Sequence, residues 1–334
     1  EHDLVEAELM LQKFPATAKA YILYRAERTR VRTQRGDVPE HVRKLAEESK
    51  KYFKDNPLGE FIYLRTYAKW IESEGRRETW VETVDRYVNF MKENLGNKIT
   101  EAEYAEAREA ILKQEVMPSM RLMQFSGEAV RKCNTCAYNC AFIAPSKLED
   151  FAEIMYLSMQ GCGVGFSVES QNIEKLPREK IIKRQGRRLR AIDAHDVICK
   201  IGECVVAGGV RRTAMISLSD LDDTDVRDAK KGQFFLTDPH RSVANNSAVY
   251  ETKPSNTELM QEWVALMKSG SGERGIFNRG AVGNTLPKRR ATYFKKMGYL
   301  DADGVVQGSI GTNPCGEIIL QSKEFCNLSE IIAR

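Results

Sequence analysis

Apolar residues recur every three or four positions through the first part of the chain, which is the spacing of helices that bury one face. This pattern runs through four segments, residues 2–32, 38–55, 57–72 and 78–96. The tetrapeptide TEAE, which begins at residue 100, places a glutamate three positions after a threonine, as in an N-terminal capping box. Strand signals are scarce here, so the sequence predicts a helical N-terminal region over residues 1–115.

The pattern changes after Met117. Short apolar runs then alternate with amphipathic segments, and this alternation predicts an α/β body with parallel strands over residues 116–334. The predicted strands are 140–144, 163–169, 212–218, 245–250, 275–279 and 317–320. The predicted helices are 148–160, 194–206 and 258–270.

Charge and hydropathy exclude several classes of protein. The 334 residues include 51 Lys+Arg and 47 Asp+Glu, so the net charge of +4 gives no chain-wide signal for nucleic-acid binding. No apolar run approaches the ~20 residues that a membrane-spanning helix needs, and the N-terminus lacks the form of a signal peptide. We therefore expect a cytoplasmic protein without membrane contact. The basic segment 176–190 is either a solvated loop or a place for an anionic ligand.

Two glycine-rich segments lie where strands and helices are predicted to meet. GCGVG at 161–165 lacks the complete G-x-G-x-x-G fingerprint and enters a strand, so a dinucleotide-binding interpretation is weak. Glycine there permits either close approach of a ligand or tight backbone packing. AGGV at 207–210 is followed by Arg211 and Arg212, whose guanidinium groups suit either phosphate or surface ion pairs.

The cysteines favour thiols over structural disulfides, because the chain is long and has no secretory signal. There are eight: Cys133, Cys136, Cys140, Cys162, Cys199, Cys204, Cys315 and Cys326. The C-x-x-C of Cys133 and Cys136 is half of many zinc sites, but no second C-x-x-C exists, so zinc binding stays open and is not favoured. The apolar contexts of Cys199 and Cys204 favour small buried side chains. Cys140 opens a predicted apolar strand and would face a core or a pocket.

The pentapeptide NPCGE at 313–317 carries a compact set of reactive groups. In an extended loop, Asn313, Cys315 and Glu317 would point to one side because they alternate at period two. The carboxylate can move a proton, the amide can orient a substrate hydroxyl, and the thiol can act as nucleophile or radical carrier. A structural loop would also explain so short a motif.

Seven motifs, taken in order, resemble the large catalytic subunit of ribonucleotide reductases of the adenosylcobalamin-dependent class (class II). The resemblance runs from about Met117 to the C-terminus. The motifs are MPSMR at 117–121, YNCAF at 138–142, GCGVGFSVE at 161–169, AGGVRRTAMISL at 207–218, NNSAVY at 245–250, ERGIFNR at 273–279, and NPCGEIIL at 313–320 followed by FCNLSEI. Each motif is weak alone, but seven in sequence with the cysteines in register are highly specific.

The resemblance implies a thiyl-radical mechanism. Cys315 matches the cysteine that becomes the radical and abstracts the ribose 3′ hydrogen. Glu317 matches the general base for the 3′ hydroxyl, and Asn313 matches the amide that hydrogen-bonds the ribose. Cys140 and Cys326 match the dithiol that reduces the substrate and becomes a disulfide. Adenosylcobalamin is the implied radical source, and a diiron small subunit is the alternative.

The resemblance also implies contacts with nucleotides. Ser119 and Asn139 match positions near the substrate phosphate and ribose, while Gly163 and Val164 match a backbone turn that touches the substrate. Five match the loop that links an allosteric specificity site to the base pocket: Gly208, Gly209, Val210, Arg211 and Arg212. The implied partners are a ribonucleotide substrate, a deoxynucleotide or ATP effector, and a thioredoxin-like or other dithiol reductant. Whether the substrate is a diphosphate or a triphosphate stays open.

Two spacings bear on the class and on the assembly. The eleven residues from Cys315 to Cys326 resemble the spacing of the cobalamin class, whereas the diiron class usually has a longer gap. The 175 residues from Cys140 to Cys315 leave no room for the insertion with which monomeric cobalamin enzymes mimic a second subunit. We therefore expect a homodimer.

The implied fold is a ten-stranded α/β barrel made of two halves, with Cys315 on a central finger loop between them. This sequence would supply the helical region, the first half of the barrel and the start of the finger loop. We expect the chain to be one piece of a split or truncated enzyme that needs a C-terminal half for turnover. A non-catalytic nucleotide-binding regulatory fragment is the alternative.

Overall fold

The computed structural model describes residues 2–12, 14–34, 40–54, 56–176, 188–206 and 213–332. In its N-terminal region the helices are α1 (His2–Leu11), α2 (Pro15–Gln34), α3 (Glu40–Lys50), α4 (Pro57–Thr66), α5 (Trp80–Leu95) and α6 (Glu101–Leu112). A short antiparallel hairpin of β1 (Trp70–Ile71) and β2 (Arg76–Arg77) lies between α4 and α5. The helical periodicity did not predict this hairpin.

Side-chain caps determine where α5 and α6 begin. Thr79 and Glu82 form a reciprocal capping box at the start of α5, and Thr100 and Glu103 form another at α6. Each box gives partners to backbone N–H groups that the helix itself leaves without one. The capping prediction from TEAE is therefore confirmed.

An aromatic cluster packs these helices together. The ring centroids of Phe53, Tyr63 and Trp80 lie 5.3, 5.5 or 5.6 Å apart, and all three side chains are buried. Nε1 of Trp80 donates to the carbonyl of Leu112 at 3.0 Å, and the hydroxyl of Tyr63 donates to the carbonyl of Glu78 at 2.6 Å. The polar ends of both rings therefore keep partners inside the core.

After β3 (Val116–Met117) the chain continues as an α/β body. Its helices are α7 (Met120–Phe125), α8 (Glu128–Lys132), α9 (Leu148–Met159), α10 (Ser170–Ile173), α11 (Ala191–Val206), α12 (Thr224–Arg227), α13 (Phe234–Thr237), α14 (Asn256–Ser269), α15 (Val282–Thr285) and α16 (Lys288–Lys296). Its strands are β4 (Cys140–Ile143), β5 (Gly163–Ser167), β6 (Met215–Ser219), β7 (Ala244–Tyr250), β8 (Gly275–Asn278), β9 (Ile310–Thr312), β10 (Ile319–Gln321), β11 (Phe325–Cys326) and β12 (Glu330–Ile331). None of the helices in the described ranges combines the length and the apolar character that crossing a membrane requires.

The central sheet has six strands in the described part of the chain, in the order β11–β4–β5–β6–β7–β8. Strands β4 to β8 run parallel in chain order, and β11 joins antiparallel at the edge beside β4. Parallel neighbours need crossover connections, and α9, α11 and α14 lie within three of these connections. The mixed α/β prediction is confirmed, with element ends that shift by a few residues. A ten-stranded barrel is not seen in the described residues.

The last predicted strand, 317–320, lies outside the central sheet. It appears as β10, begins two residues later than predicted, and pairs antiparallel with β9. We call residues 310–321 the finger hairpin. The hairpin and the helices pack on opposite faces of the sheet: Val164 lies in a buried core with Ile154 and Ile198, while Phe142 lies in another with Leu320. Alternation of side chains along the strands sends one set to each face.

Candidate active site

Two buried cysteines face each other at the edge of the central sheet. Cys140 begins β4, Cys326 ends β11, and the antiparallel register makes them direct cross-strand partners. They are 8% and 6% exposed, respectively. Residues directly opposite each other on antiparallel strands have Cα separations of about 4.5–5.5 Å, which lies within the range that a disulfide spans. The structure thus brings together the two cysteines that the sequence motifs pair as a dithiol.

The environment of Cys326 keeps its thiol protonated. A hydrogen bond with Cys140 and burial both raise the pKa of Cys326 well above the ordinary value for a thiol. A raised pKa means that the thiolate, which is the nucleophilic form, is scarce at neutral pH. Cys326 therefore keeps its hydrogen atom in the resting state.

Cys326 should consequently react with iodoacetamide far more slowly than Cys315, which is exposed. The rate for Cys326 should still be rising with pH where an ordinary thiol is already fully ionised, because ionisation is shifted upward. Timed alkylation followed by mass spectrometry measures both rates, since trypsin cleavage after Lys323 separates the two cysteines. Equal rates at neutral pH would contradict the burial and hydrogen bonding of Cys326.

The finger hairpin presents the NPCGE motif on a tight turn. The N–H of Gly316 donates to the carbonyl of Asn313 at 3.0 Å, and Gly316 has a φ of +88°, which favours glycine. The expectation of an extended loop is therefore wrong. Pro314 and Cys315 occupy the middle of the turn. The sequence favours this geometry because it places proline at the second position of the turn and glycine at the fourth. Cys315 is exposed at this turn.

The turn nevertheless joins Asn313 and Glu317. Asn313 is fully buried, and its Nδ2 donates to Oε1 of Glu317 at 2.8 Å. Its Oδ1 accepts a hydrogen bond from the N–H of Ile318 at 3.1 Å. The buried amide therefore fixes the exposed carboxylate of Glu317, two residues beyond Cys315. A carboxylate held in this way can accept a proton from a bound hydroxyl.

Gly163 links the finger hairpin to the cysteine pair. A Cβ atom on Gly163 would lie 3.0 Å from Cγ of Pro314 and 3.4 Å from Sγ of Cys140. Gly163 is also the parallel-register partner of Cys140 in the sheet. Pro314, the chain neighbour of Cys315, therefore lies above the strand position that carries the dithiol. The three cysteines that the motifs mark as catalytic belong to one locality.

Two further glycines let the finger hairpin lie directly on the sheet. A Cβ atom on Gly165 would be 1.9 Å from the carbonyl oxygen of Thr312, and one on Gly311 would be 2.1 Å from the ring of Phe142. Side chains cannot exist at such distances, so both positions require glycine. Tight packing therefore accounts for one glycine of the GCGVG motif, while Gly163 lies beside the candidate site.

Ser119 and Asn139, which match substrate-binding positions, lie next to the same sheet edge. The hydroxyl of Ser119 donates to Oδ1 of Asn327 at 2.9 Å and accepts from the N–H of Leu122 as the cap of α7. The N–H of Asn139 donates to the carbonyl of Cys326 at 3.0 Å. The buried Oδ1 of Asn139 has no hydrogen-bond partner among the described residues. It is therefore suited to accept a hydrogen bond from a ligand.

The remaining predicted site residues are not tested by this geometry. The side chain of Val164 is fully buried in the helix-facing core, so the predicted contact with a substrate would come from its backbone alone. The residues matched to the specificity loop lie within 207–212, outside the described residues, as does 177–187 of the basic segment. Within the described ranges, no cluster of three or more Cys, His, Asp or Glu side chains could hold a metal ion.

Sequence reasoning missed a buried ion pair that supports the finger hairpin. Nη1 of Arg279 donates to Oε1 of Glu169 at 2.7 Å, and these two residues are 1% and 2% exposed. Nε of Arg279 donates to the carbonyl of Ile310, the first residue of β9, at 2.8 Å. The pair therefore ties residues just beyond β5 and β8 to the start of the hairpin. The ERGIFNR motif contains Arg279, but nothing in that motif indicates a partner 110 residues away.

Comparisons with known proteins point to the same class of enzyme. Residues 38–124 match the family described as Ribonucleotide reductase alpha domain. The chain is 25% identical to the adenosylcobalamin-dependent ribonucleoside-triphosphate reductase of Lactobacillus leichmannii, over 82% of this chain and 54% of that protein. It is 38% identical to the protein of the same name from Lacticaseibacillus paracasei, over 44% of this chain and 18% of that protein. The chain spans about half the length of the first of these relatives.

A solved structure shares the fold. The crystal structure of a B-12 dependent (class II) ribonucleotide reductase aligns with a TM-score of 0.64 at 21% identity, covering 86% of this chain and 57% of that one. A likeness at this identity establishes the fold alone. Taken together, the family match and the relatives show that this chain is similar to part of the adenosylcobalamin-dependent ribonucleotide reductases, and the solved structure shows that it shares the fold. The resemblance indicated by the seven sequence motifs is thus confirmed.

Proposed function

We propose that this chain forms part of the active site of a ribonucleotide reductase, which converts ribonucleotides into 2′-deoxyribonucleotides. The observation that carries the proposal is the position of Gly163, which lies against both Sγ of Cys140 and the ring of Pro314. A buried dithiol and the exposed Cys315 are thereby gathered at one edge of the sheet. The activity named for the relatives supports this reaction.

In the proposed reaction, Cys315 carries a thiyl radical that abstracts the 3′ hydrogen of the ribose. Glu317, held by the amide of Asn313 at 2.8 Å, accepts the proton of the 3′ hydroxyl. The 2′ hydroxyl leaves as water. Cys140 and Cys326 supply the two electrons and two protons for this reduction and become a disulfide. Cys315 then returns the hydrogen atom to the 3′ carbon, which restores its radical, and Glu317 returns the proton to the 3′ oxygen. A thioredoxin-like or other dithiol then restores the pair by exchange.

Two features of the described residues suit this chemistry. The raised pKa of Cys326 keeps a proton on the pair, which must deliver protons as well as electrons. The buried Oδ1 of Asn139, which has no partner among the described residues, can accept a hydrogen bond from a ribose hydroxyl. The hydroxyl of Ser119 can turn from Asn327 to a substrate phosphate oxygen.

Adenosylcobalamin is the proposed radical source, in line with the names of the relatives. Cys315 fits this partner because its thiol is exposed on the turn, where a bulky group can approach it. The bound cofactor would supply a carbon-centred radical by homolysis of its cobalt–carbon bond. Cys315 is the residue that would face it.

The five parallel strands β4 to β8 are proposed to form half of a ten-stranded barrel around the finger hairpin. In support, the hairpin packs on the sheet face opposite the helices. Strand β8 is the outer strand of the sheet in the described residues, and such an edge can pair with further strands. The C-terminal half of the enzyme would complete the barrel and the substrate site.

A homodimer is proposed to form through α9 and α11. Met155, Met159 and Val197 are between 41% and 61% exposed on these helices, and contiguous exposed apolar side chains mark interaction surfaces. The alignment with the Lactobacillus leichmannii protein is 416 positions long, although it includes only 82% of the 334 residues of this chain. The additional positions belong to the relative, which therefore carries inserted segments. A second copy of this chain would cover the apolar face. The proposed specificity loop, residues 208–212, follows α11 in the sequence.

The function is tested with the complete enzyme, in which this chain is combined with the C-terminal half, adenosylcobalamin, a ribonucleoside triphosphate and dithiothreitol. We expect deoxynucleotide formation that is lost in Cys315→Ser, because serine cannot carry the thiyl radical. Cys133→Ser, which changes a partly exposed cysteine that the proposed reaction does not use, should retain activity. Product formation that survives Cys315→Ser would refute the radical assignment. Activity that needs iron and a small subunit, but not cobalamin, would refute the choice of class.

A further inference from the structure

We propose that Cys133 and Cys136 form a second redox site, a dithiol that closes reversibly to a disulfide by exchange with disulfides of other molecules. This pair is distinct from Cys140 and Cys326. The proposal stands on local geometry and does not depend on the reductase function. It assigns a role to the C-x-x-C motif that the proposed reaction leaves unused.

The backbone holds these two cysteines at disulfide distance. Cys133 precedes the short helical turn Asn134–Ala137, and the N–H of Cys136 donates to the carbonyl of Cys133 at 3.3 Å. A turn closed in this way keeps the two Cα atoms within about 7 Å. A disulfide spans Cα separations of about 4.4–6.8 Å. The Cα separation in this turn therefore suits a disulfide.

The two thiols have the unequal surroundings that exchange requires. Cys133 is partly exposed, whereas Cys136 is 8% exposed. Sγ of Cys133 lies 3.2 Å from the hydroxyl of Tyr156 and 3.6 Å from that of Thr135. Hydrogen bonds from Tyr156, Thr135 and the backbone N–H of Cys136 lower the pKa of Cys133, while burial raises the pKa of Cys136. The accessible sulfur is thus the better nucleophile, and the buried one can close the bond.

The exchange proceeds in two balanced steps. The thiolate of Cys133 attacks one sulfur of an incoming disulfide, forms a mixed disulfide and releases the first thiolate of that molecule. Cys136 then loses its proton, attacks the sulfur of Cys133 and releases the second thiolate. Two electrons pass from the protein to the incoming disulfide, which is a protein disulfide or a small one such as oxidised glutathione. A dithiol reverses both steps.

Other interpretations of this motif fit the geometry less well. Inert packing would bury both sulfur atoms, but Cys133 is partly exposed and contacts two hydroxyl groups. A structural zinc site uses four ligands. Among the residues that the structure describes, no group of three or more suitable side chains could hold a metal ion.

The test uses the Cys140→Ser variant of the full chain, because trypsin cleavage after Lys132 and Lys147 leaves three cysteines in one peptide. The protein is treated with oxidised glutathione, blocked with N-ethylmaleimide, digested and analysed by mass spectrometry. We expect this peptide to lose the mass of two hydrogen atoms and to take up no N-ethylmaleimide. Dithiothreitol should reverse the change. Adding Cys136→Ser should trap glutathione on Cys133, because the closing thiol is gone.

A matched variant tests the surroundings of Cys133. Tyr156→Phe removes the hydroxyl but keeps the ring, and we expect it to slow the alkylation of Cys133 about fivefold. Circular dichroism checks that the variants fold. Two reactive thiols in the oxidised sample, or glutathione fixed on Cys133 while Cys136 is intact, would overturn the proposal. Neither nucleotide nor cobalamin enters this assay, so its failure and the failure of the reductase proposal are distinguishable.

Discussion

Replacing Arg279 with alanine is expected to lower the free energy of unfolding by about 3–5 kcal/mol. Arg279 is 1% exposed and donates to both carboxylate oxygens of Glu169. The substitution would leave a buried carboxylate without its cation and would remove the hydrogen bond to the carbonyl of Ile310. The finger hairpin would thereby lose its attachment at β9. Urea unfolding followed by circular dichroism measures the change.

Two control variants distinguish the effect of this buried ion pair on stability from the effect of an exposed ion pair. Arg131→Ala breaks an ion pair with Glu93 in which the side chains are 54% and 55% exposed. That change should cost less than about 1 kcal/mol. Combining Arg279→Met with Glu169→Gln removes both charges and should recover part of the loss. If Arg279→Ala lowers the free energy of unfolding no more than Arg131→Ala does, the ion pair of Arg279 and Glu169 does not support the finger hairpin.

Replacing Gly165 with alanine should displace the finger hairpin and lower the free energy of unfolding by about 3 kcal/mol or more. The new Cβ atom would lie 1.9 Å from the carbonyl oxygen of Thr312, and a backbone atom cannot move away by side-chain rotation. Gly165 is held on both sides by register pairs with Phe142 and Ile216, so β5 itself resists shifting. Urea unfolding measures the cost, and faster trypsin cleavage after Lys323 would report the displaced hairpin.

Gly163→Ala is the matched control in the same strand. Its Cβ atom would meet side-chain atoms, with Cγ of Pro314 at 3.0 Å and Sγ of Cys140 at 3.4 Å. Side chains can relieve such contacts by small adjustments, so we expect the free energy of unfolding to fall by less than about 1 kcal/mol. If both variants lose the same free energy of unfolding, the loss comes from placing any alanine in β5 and not from the contact between residue 165 and Thr312.

Much of the fold could be predicted from the sequence because most segments carry their own signal. The apolar run at 140–144 is a strand, and the amphipathic segments at 148–160 and 194–206 are helices. Strand β11 could not be found in this way, since two residues are too few to show a period. Its place beside β4 depends on the whole chain, and that place is what aligns Cys326 with Cys140.

The candidate site was predicted only in part. The sequence argument grouped Asn313 with Glu317 correctly but for the wrong reason. The contact between Asn313 and Glu317 arises from a turn and not from an extended strand. Pro314 and Gly316 carried the signal for that turn, and the period-two argument overlooked it. The pair of Arg279 and Glu169 had no comparable signal, because its partners meet only when β5 and β8 belong to one sheet.

In the proposed reaction, Cys315 couples reduction of the substrate to oxidation of Cys140 and Cys326. A single turnover tests it most directly: the complete enzyme is reduced, freed of reductant, and mixed with adenosylcobalamin and a ribonucleotide. Mass spectrometry then identifies the disulfide-linked peptides and quantifies the deoxynucleotide. We predict one Cys140–Cys326 disulfide for each deoxynucleotide formed, and neither product in Cys315→Ser. Deoxynucleotide formed while both thiols stay reduced, or a disulfide formed equally without nucleotide, would contradict the claim.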